Sequence, residues 1–250
     1  MKRYVCLALA GAAWAAGASR EVERKLPLDA NGRVLVDVHR GTVEVTGTDG
    51  AEVELRVRIE SDATFSDPKK LVEDVEIIVD ASRSAVRLRA DYSKVNTGMG
   101  FNFDSTPKVH WRIRMPRTAM LRVKAHRSET RVHGMRGDVD IEAQRGDVTA
   151  QDIEGALDLK LHRSDADIRF RNLGGRSRIE AYRGEARVSL PANQGFTLST
   201  ELDKRSDFHS DFALPVRTRG GYADFHSQVN GGGPTISVKA QRGAIRLRRG

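Results

Sequence analysis

The chain has 250 residues, and its 42 Lys and Arg outnumber its 34 Asp and Glu, which gives a formal net charge of +8. This length suits one large β domain or two small ones. The single cysteine, Cys6, lies near the N-terminus, so the composition argues against disulfide-stabilised folds and thiol chemistry. A basic balance is suited to acidic envelope polymers, lipopolysaccharide, anionic lipid or nucleic acid; the equally weighted alternative is that the charge only keeps the surface soluble.

The N-terminus has the pattern of a secretory signal peptide. Two cations precede an apolar, alanine-rich run over 4–17, and small residues fit a cleavage site before Ser19. The run is short for a permanent membrane anchor, although an uncleaved tether is the alternative. We therefore predict a signal peptide over 1–18 and one exported domain over 19–250. This domain would be periplasmic, outer-surface or secreted, with no transmembrane helix after signal cleavage.

The N-terminal part of the predicted domain consists of short alternating strands and one helix. Val34, Val36 and Val38 alternate with polar residues, and this period of two is typical of strands with one buried face. A capping residue followed by proline in Ser66-Asp67-Pro68 predicts one short helix near 67–74. We expect the polar run over 94–108 to be an irregular loop.

Two aromatic residues make that loop less polar than an ordinary linker. They are Phe101 and Phe103. The preferred interpretation is that they cap one end of the core, and the alternative is that they are exposed to a partner.

One phrase recurs four times, and the regular repeats are strongest in 109–190. The four copies are His126-Arg127-Ser128-Glu129, Gln144-Arg145-Gly146-Asp147, His162-Arg163-Ser164-Asp165 and Tyr182-Arg183-Gly184-Glu185. A fixed period of about this size is typical of stacked repeats. Apolar residues alternate between the copies, so each unit is about two short strands and two turns. The pattern predicts an all-β, β-solenoid or β-helix-like stack of short strands, with a twisted β-sandwich as the alternative.

Related phrases occur near both ends of the predicted domain. His39-Arg40-Gly41 precedes the helix, and Gln241-Arg242-Gly243 follows the last glycine run. We expect atypical terminal units to shield the ends of the stack.

The strand over 109–116, followed by Leu121-Arg-Val and glycine-turn repeats, resembles the DUF4097 family of bacterial adhesin-like proteins. The closing Asn230-Gly-Gly-Gly-Pro-x-Ile with its final Gly-x-Ile-x-Leu is similar to that family, as is the short helix. The resemblance implies a β-solenoid-like domain that is exported or faces the cell envelope, with no known enzymatic activity. It brings no catalytic or ligand residues. Arg precedes Gly or Ser at the turns where the family commonly has Ser-Gly.

The arginines of the repeated phrase are the most distinctive candidate site. In register, neighbouring arginines would lie roughly 4.8 Å apart and repel by roughly 0.9 kcal/mol in bulk water. Each of the four internal arginines has an acid two positions on, so the preferred interpretation is local neutralisation that serves register and solubility. Anion or glycan binding is the alternative, and Arg40 and Arg242, which lack that acid, are the better binding candidates. The candidate anion- or partner-binding residues are Arg40, Arg127, Arg145, Arg163, Arg183 and Arg242.

Other motifs are weaker. Arg136-Gly137-Asp138 and Arg145-Gly146-Asp147 spell a receptor-attachment tripeptide that charged glycine turns also generate by chance. The histidines are too dispersed for a metal site, and an acid-flanked His209 is better explained as a solvated strand face. The glycine run 231–233 lacks the Lys and helix of a phosphate-binding loop. We therefore predict no catalytic residue, metal or cofactor.

The sequence thus favours a non-enzymatic, envelope-associated or secreted binding and scaffolding protein. Its partner would be an anionic envelope polymer or a membrane-associated protein. Specific nucleic-acid binding is not expected, because aromatic residues are sparse and no recognition motif is present. The alternatives are an envelope-stress regulatory module that acts through a membrane partner and, less favoured, an enzyme that acts on polysaccharide.

Overall fold

The computed structural model describes residues 17–64, 66–95, 106–214 and 225–250, and these form 18 strands and one short helix. The all-β class predicted from the sequence is confirmed. Residues 1–16, which hold most of the predicted signal peptide, lie outside the described ranges. The strands are β1 (Ala18–Pro27), β2 (Arg33–Thr48), β3 (Glu52–Ser61), β4 (Glu76–Ala81), β5 (Ala85–Asp91), β6 (Lys108–Pro116), β7 (Met120–His133), β8 (Val139–Arg145), β9 (Val148–Ile153), β10 (Leu157–Arg163), β11 (Ala166–Phe170), β12 (Ser177–Ala181), β13 (Glu185–Leu190), β14 (Phe196–Leu202), β15 (Asp207–Ser210), β16 (Phe225–Val229), β17 (Thr235–Ala240) and β18 (Ala244–Arg249).

Parallel pairing stacks these strands as the coils of a two-sided solenoid. The first face has the strand order β4-β5-β2-β7-β8-β10-β12-β17-β14-β16. The second face has the order β1-β3-β6-β2-β7-β9-β11-β13-β18-β15. The long strands β2 and β7 pass through both faces. Antiparallel pairs occur only at the margins of the described strands, at β1, β3, β4 and β16.

The order of the coils differs from the order of the chain near both ends. Strand β2 pairs with β7 on one side and with β5 and β6 on the other. Strand β17 lies between β12 and β14, and β18 lies between β13 and β15. The coils that carry the first and last phrases are therefore enclosed by neighbours, and the margins of the described stack are formed mainly by the atypical antiparallel strands.

A single core lies between the two faces. Inward residues such as Val34, Val36 and Val38 are at most 2% exposed, and residues of both faces belong to one buried cluster. Trp111 of β6 is the largest fully buried side chain described. The period of two in the sequence thus decides which side chains enter the core, and the turns keep consecutive coils in register.

The predicted helix is confirmed and has the expected cap. Helix α1 (Pro68–Asp74) begins after Asp67, whose side chain accepts the Lys69 N–H at 3.0 Å. Proline in the first turn has no N–H to leave unpaired. Leu71 and Val72 are buried, and the helix packs against β1 and β3. It therefore covers the margin of the stack near the start of the described chain.

Opposite charges alternate along one outward row of the first face. In strand order, the register places Arg89, Asp37, Lys124, Glu142, Lys160, Glu180, Lys239 and Glu201 side by side. If the coils stacked in chain order, β12 would pair with β14 and Glu180 would lie beside Glu201. In the structure β17 lies between these two strands and places Lys239 between the two acids. Lys239 donates a hydrogen bond to Glu201. Cross-strand pairs of opposite charge are favourable and like pairs are not, so this row supports the observed coil order.

Reversing the charge of Lys239 tests this role of the row. We expect Lys239→Glu to lower the free energy of unfolding by about 1–2 kcal/mol, because two favourable cross-strand pairs become like-charged. Urea denaturation measures the change. Adding Glu201→Lys to Lys239→Glu restores one of the two pairs and should recover about half of the loss. Equal stability of Lys239→Glu and wild type would contradict a role of the row in coil order.

Candidate anion-binding edge

The six candidate arginines occupy one corner of the solenoid, in consecutive coils. The register pairs Arg40 with Arg127, Arg127 with Arg145, and Arg145 with Arg163. The next coil follows because the Ser164 N–H donates to the Arg183 carbonyl at 3.3 Å. In the coil after that, the Arg242 N–H donates to the Tyr182 carbonyl at 3.0 Å. We call this set the arginine ladder: Arg40, Arg127, Arg145, Arg163, Arg183 and Arg242.

The arginine ladder presents concentrated positive charge to solvent. Five members are exposed and Arg40 is half-buried. Among the described residues, four members have no carboxylate within ion-pair distance: Arg145, Arg163, Arg183 and Arg242. Like charges repeated at the strand spacing repel one another, so the ladder by itself is unfavourable for folding.

The residue after each arginine explains how the corner closes. In stack order these residues are Gly41, Ser128, Gly146, Ser164, Gly184 and Gly243. Gly184 has φ +115°, and a Cβ there would lie 2.1 Å from the Ser164 carbonyl oxygen of the adjacent coil. Glycine is therefore required where the backbone turns with positive φ against a neighbouring carbonyl. Gly41 and Gly146 share this geometry, with φ +130° and +111° and a neighbouring carbonyl oxygen 2.0 and 2.4 Å from an added Cβ.

A ladder of acids runs parallel to the arginine ladder, on the other side of the turn. The register places Glu129, Asp147, Asp165 and Glu185 in consecutive coils. Two of these acids accept hydrogen bonds from residues other than the preceding arginine. Glu129 accepts one from the Arg131 guanidinium at 2.5 Å. Asp165 accepts one from the Glu185 N–H at 2.7 Å.

Glu185 shows where these acids find their partners. It accepts hydrogen bonds from Arg187 of the same strand, β13, and from Arg246 of the adjacent strand β18. Burial alone would raise the pKa of Glu185, but these two guanidinium groups hold that pKa below its usual value. Glu185 therefore makes its ion pairs with Arg187 and Arg246, and no ion pair between Arg183 and Glu185 is found among the described residues.

Rings line the outward side of the arginine ladder. The His39 ring lies 5.7 Å from Tyr92 and 5.8 Å from His126, between centroids. Further along, His162 stacks on Tyr182 at 5.3 Å with 12° between the planes, and Tyr182 is 38% exposed. The pKa of His39 lies below its usual value, first because burial disfavours the charged ring and then because His126 and Arg127 are close. The edge thus adds imidazole and phenol groups to the guanidinium groups.

The remaining sequence candidates are two aromatic residues and the Arg-Gly-Asp tripeptide over 136–138. Phe101 and Phe103 lie outside the described residues. In the tripeptide over 136–138, Arg136 forms an ion pair with Glu154 at 3.2 Å. The Asp138 carboxylate accepts a hydrogen bond from the Ala156 N–H at 3.2 Å. Both charged groups therefore have partners within the fold.

The described ranges contain neither a metal-binding cluster nor a membrane-spanning helix. No group of three or more His, Cys, Asp or Glu residues there could hold a metal ion. Nor does any helix in those ranges have the length and apolar character needed to cross a membrane.

Comparison with known proteins supports the architecture. No family model matches the sequence, and no curated protein matches it significantly. Among solved structures, a candidate cell adhesion protein from Clostridium sporogenes is 12% identical, with a TM-score of 0.51 over 92% of this chain and 100% of that chain. A candidate adhesin from Bacteroides fragilis is 14% identical, with a TM-score of 0.42 over 92% of this chain and 97% of that chain. The Clostridium structure shares the overall fold, and the identity is too low to show more than that.

Proposed function

We propose that the chain is a non-enzymatic binding protein whose arginine ladder binds a linear anionic polysaccharide. The observation that carries the proposal is the uncompensated charge at consecutive coils. Arg145, Arg163, Arg183 and Arg242 lie in successive positions, and within the described residues none has a carboxylate at ion-pair distance. A polymer with one carboxylate or sulfate per sugar repeats its charge along a line, as the ladder does. Guanidinium groups bind such groups with strong, often bidentate hydrogen bonds.

The acidic ladder next to the arginines favours a polysaccharide over more highly charged polymers. Glu129, Asp147, Asp165 and Glu185 repel a dense polyanion, while their oxygens accept hydrogen bonds from sugar hydroxyls. The imidazole of His162 and the phenol of Tyr182 lie beside the arginine ladder and add further hydrogen-bonding groups. This combination of guanidinium, carboxylate and ring groups fits a chain of moderate charge that carries many hydroxyls.

The proposal places the protein at the cell envelope or outside the cell, in the DUF4097 adhesin-like family. Support for this placement comes from the signal-like pattern over 1–18, the repeat motifs and the fold shared with a candidate adhesion protein. In this setting the solenoid acts as a scaffold that presents its charged edge to a wall or capsule polymer.

Binding of polygalacturonate to residues 19–250 tests the proposal. The matched neutral polymer is the fully methyl-esterified form, and double-stranded DNA is the matched dense polyanion. The ladder variant changes Arg145, Arg163, Arg183 and Arg242 to Gln. The control variant removes the same charge at four exposed arginines away from the corner: Arg33, Arg83, Arg169 and Arg248.

We expect wild type and the control variant to bind polygalacturonate and the ladder variant to lose this binding while circular dichroism shows that it remains folded. Equal binding by the ladder and control variants would show that only net charge matters and would contradict the proposal. Preference for DNA over polygalacturonate would also contradict it.

A further inference from the structure

A hydroxyl-lined depression of about 400 Å³ lies on the outward side of the first face, near β16. Four short side chains from β14 and β17 line it: Thr197, Ser199, Thr235 and Ser237. The adjacent outward row carries the long side chains of Glu180, Lys239 and Glu201. The depression therefore exists because short hydroxyl side chains stand where neighbouring rows have long charged ones.

The strand register brings these groups together from parts of the chain that are distant in sequence. Asp158 pairs with Arg178, Arg178 with Ser237, and Ser237 with Ser199. Ser199 in turn pairs with His226 across the antiparallel margin. A continuous row of polar groups thus crosses five strands at the strand spacing of roughly 4.8 Å.

The two arginines that line the depression differ in whether a carboxylate lies within ion-pair distance. Arg178 has two carboxylates at 3.9 Å, from Asp158 and Glu180. Arg176 is exposed and has no carboxylate at ion-pair distance among the described residues. Arg176 and His226 are therefore the groups available to an anionic substituent.

One buried acceptor in the lining also lacks a donor. The Asp158 Oδ1 atom is shielded from solvent and receives no hydrogen bond from any described residue. Because Oδ1 is closed to solvent, a ligand reaches this carboxylate at its other oxygen, Oδ2, which lies 3.9 Å from the Arg178 guanidinium and can accept a ligand hydroxyl. This points to a ligand that carries hydroxyl groups as well as negative charge.

We propose that the depression binds a single sugar unit carrying a carboxylate, of the uronic acid class. Its carboxylate faces Arg176 and His226, and its ring hydroxyls bond with the four Ser and Thr hydroxyls and with Asp158 Oδ2. The depression is distinct from the arginine ladder, because Arg183 follows Arg178 by five residues, roughly 16 Å along extended chain. The site goes beyond the proposed function and does not depend on it.

Titration of galacturonic acid into ¹⁵N-labelled protein, followed by amide chemical shifts, tests this site. Galactose is the matched neutral sugar. We expect saturable shifts at Thr197 and Ser237, and a dissociation constant about tenfold larger for Arg176→Gln, because a charge-assisted hydrogen bond is lost. The double variant Thr197→Val/Thr235→Val removes two hydroxyls with little change of shape and should weaken binding about as much. Thr149→Val, the same change on an outward position of β9, should leave it unchanged.

Several results would overturn the site. They are the absence of saturable shifts at Thr197 and Ser237, equal affinity for galactose, or undiminished affinity in both the Arg176 and the threonine variants. The ladder variant of the preceding section should bind galacturonic acid as wild type does. Failure of polymer binding and failure of this site are therefore separate results.

Discussion

Replacing Gly184 with valine is expected to lower the free energy of unfolding by about 2–5 kcal/mol. Gly184 has φ +115°, which costs a residue with a Cβ about 1–2 kcal/mol. The added Cβ would lie 2.1 Å from the Ser164 carbonyl oxygen, so the two coils must also move apart, at a further cost of about 1–3 kcal/mol. Chemical denaturation followed by the fluorescence of the buried Trp111 measures the loss.

Gly50→Val is the matched control for this substitution. Gly50 has no positive φ, and the nearest atom to a Cβ there is the Thr48 hydroxyl oxygen at 3.6 Å, an ordinary contact. We expect a change below about 0.5 kcal/mol. If Gly184→Val were as stable as Gly50→Val, the corner would not depend on the close approach of adjacent coils. The position of Arg183 in the ladder would then need another explanation.

The repeat pattern was sufficient to predict the coils but not their order. The spacing of Arg127, Arg145 and Arg163 places these residues in consecutive coils, because the chain between them forms one complete turn of the solenoid. Nothing local requires β17 to lie between β12 and β14. In that position Lys239 lies between Glu180 and Glu201, which are far apart in the sequence from Lys239, so this favourable charge pairing has no local signal.

The sequence predicts which arginines form the candidate site but not which residues pair with the acids beside them. Alternation along an uninterrupted strand puts residues i and i+2 on the same side, which would bring Glu185 beside Arg183. The Gly184 turn breaks that alternation, and Glu185 instead faces Arg187 and Arg246. The hydroxyl-lined depression gave no sequence signal, because Thr197 and Thr235 are separated by 38 positions and each is an ordinary strand residue.

The affinity for polygalacturonate is expected to fall on the order of a hundredfold between about 50 and 200 mM salt. Each guanidinium that neutralises a carboxylate releases a counterion, so the logarithm of affinity falls linearly with the logarithm of salt concentration. For a flexible polyanion the slope is about −0.7 per contact, and four to six arginines give this magnitude. Fluorescence anisotropy of a labelled polymer at several salt concentrations measures the slope. The ladder variant lacks four of these contacts, so no salt-dependent binding should be detected with it over this range.

The length of the bound polymer gives a second, geometric readout of the same edge. Six arginines at consecutive coils span five intervals of roughly 4.8 Å, or roughly 24 Å. Affinity for galacturonate oligomers should therefore rise with each added sugar while new arginines are engaged, and should level off once the oligomer covers this span. The control variant should show the same plateau as wild type, because its four changed arginines lie elsewhere. An affinity that is independent of oligomer length would mean that the arginines act as separate point charges. A rise that continues well beyond the span would assign binding to the overall positive charge of the chain.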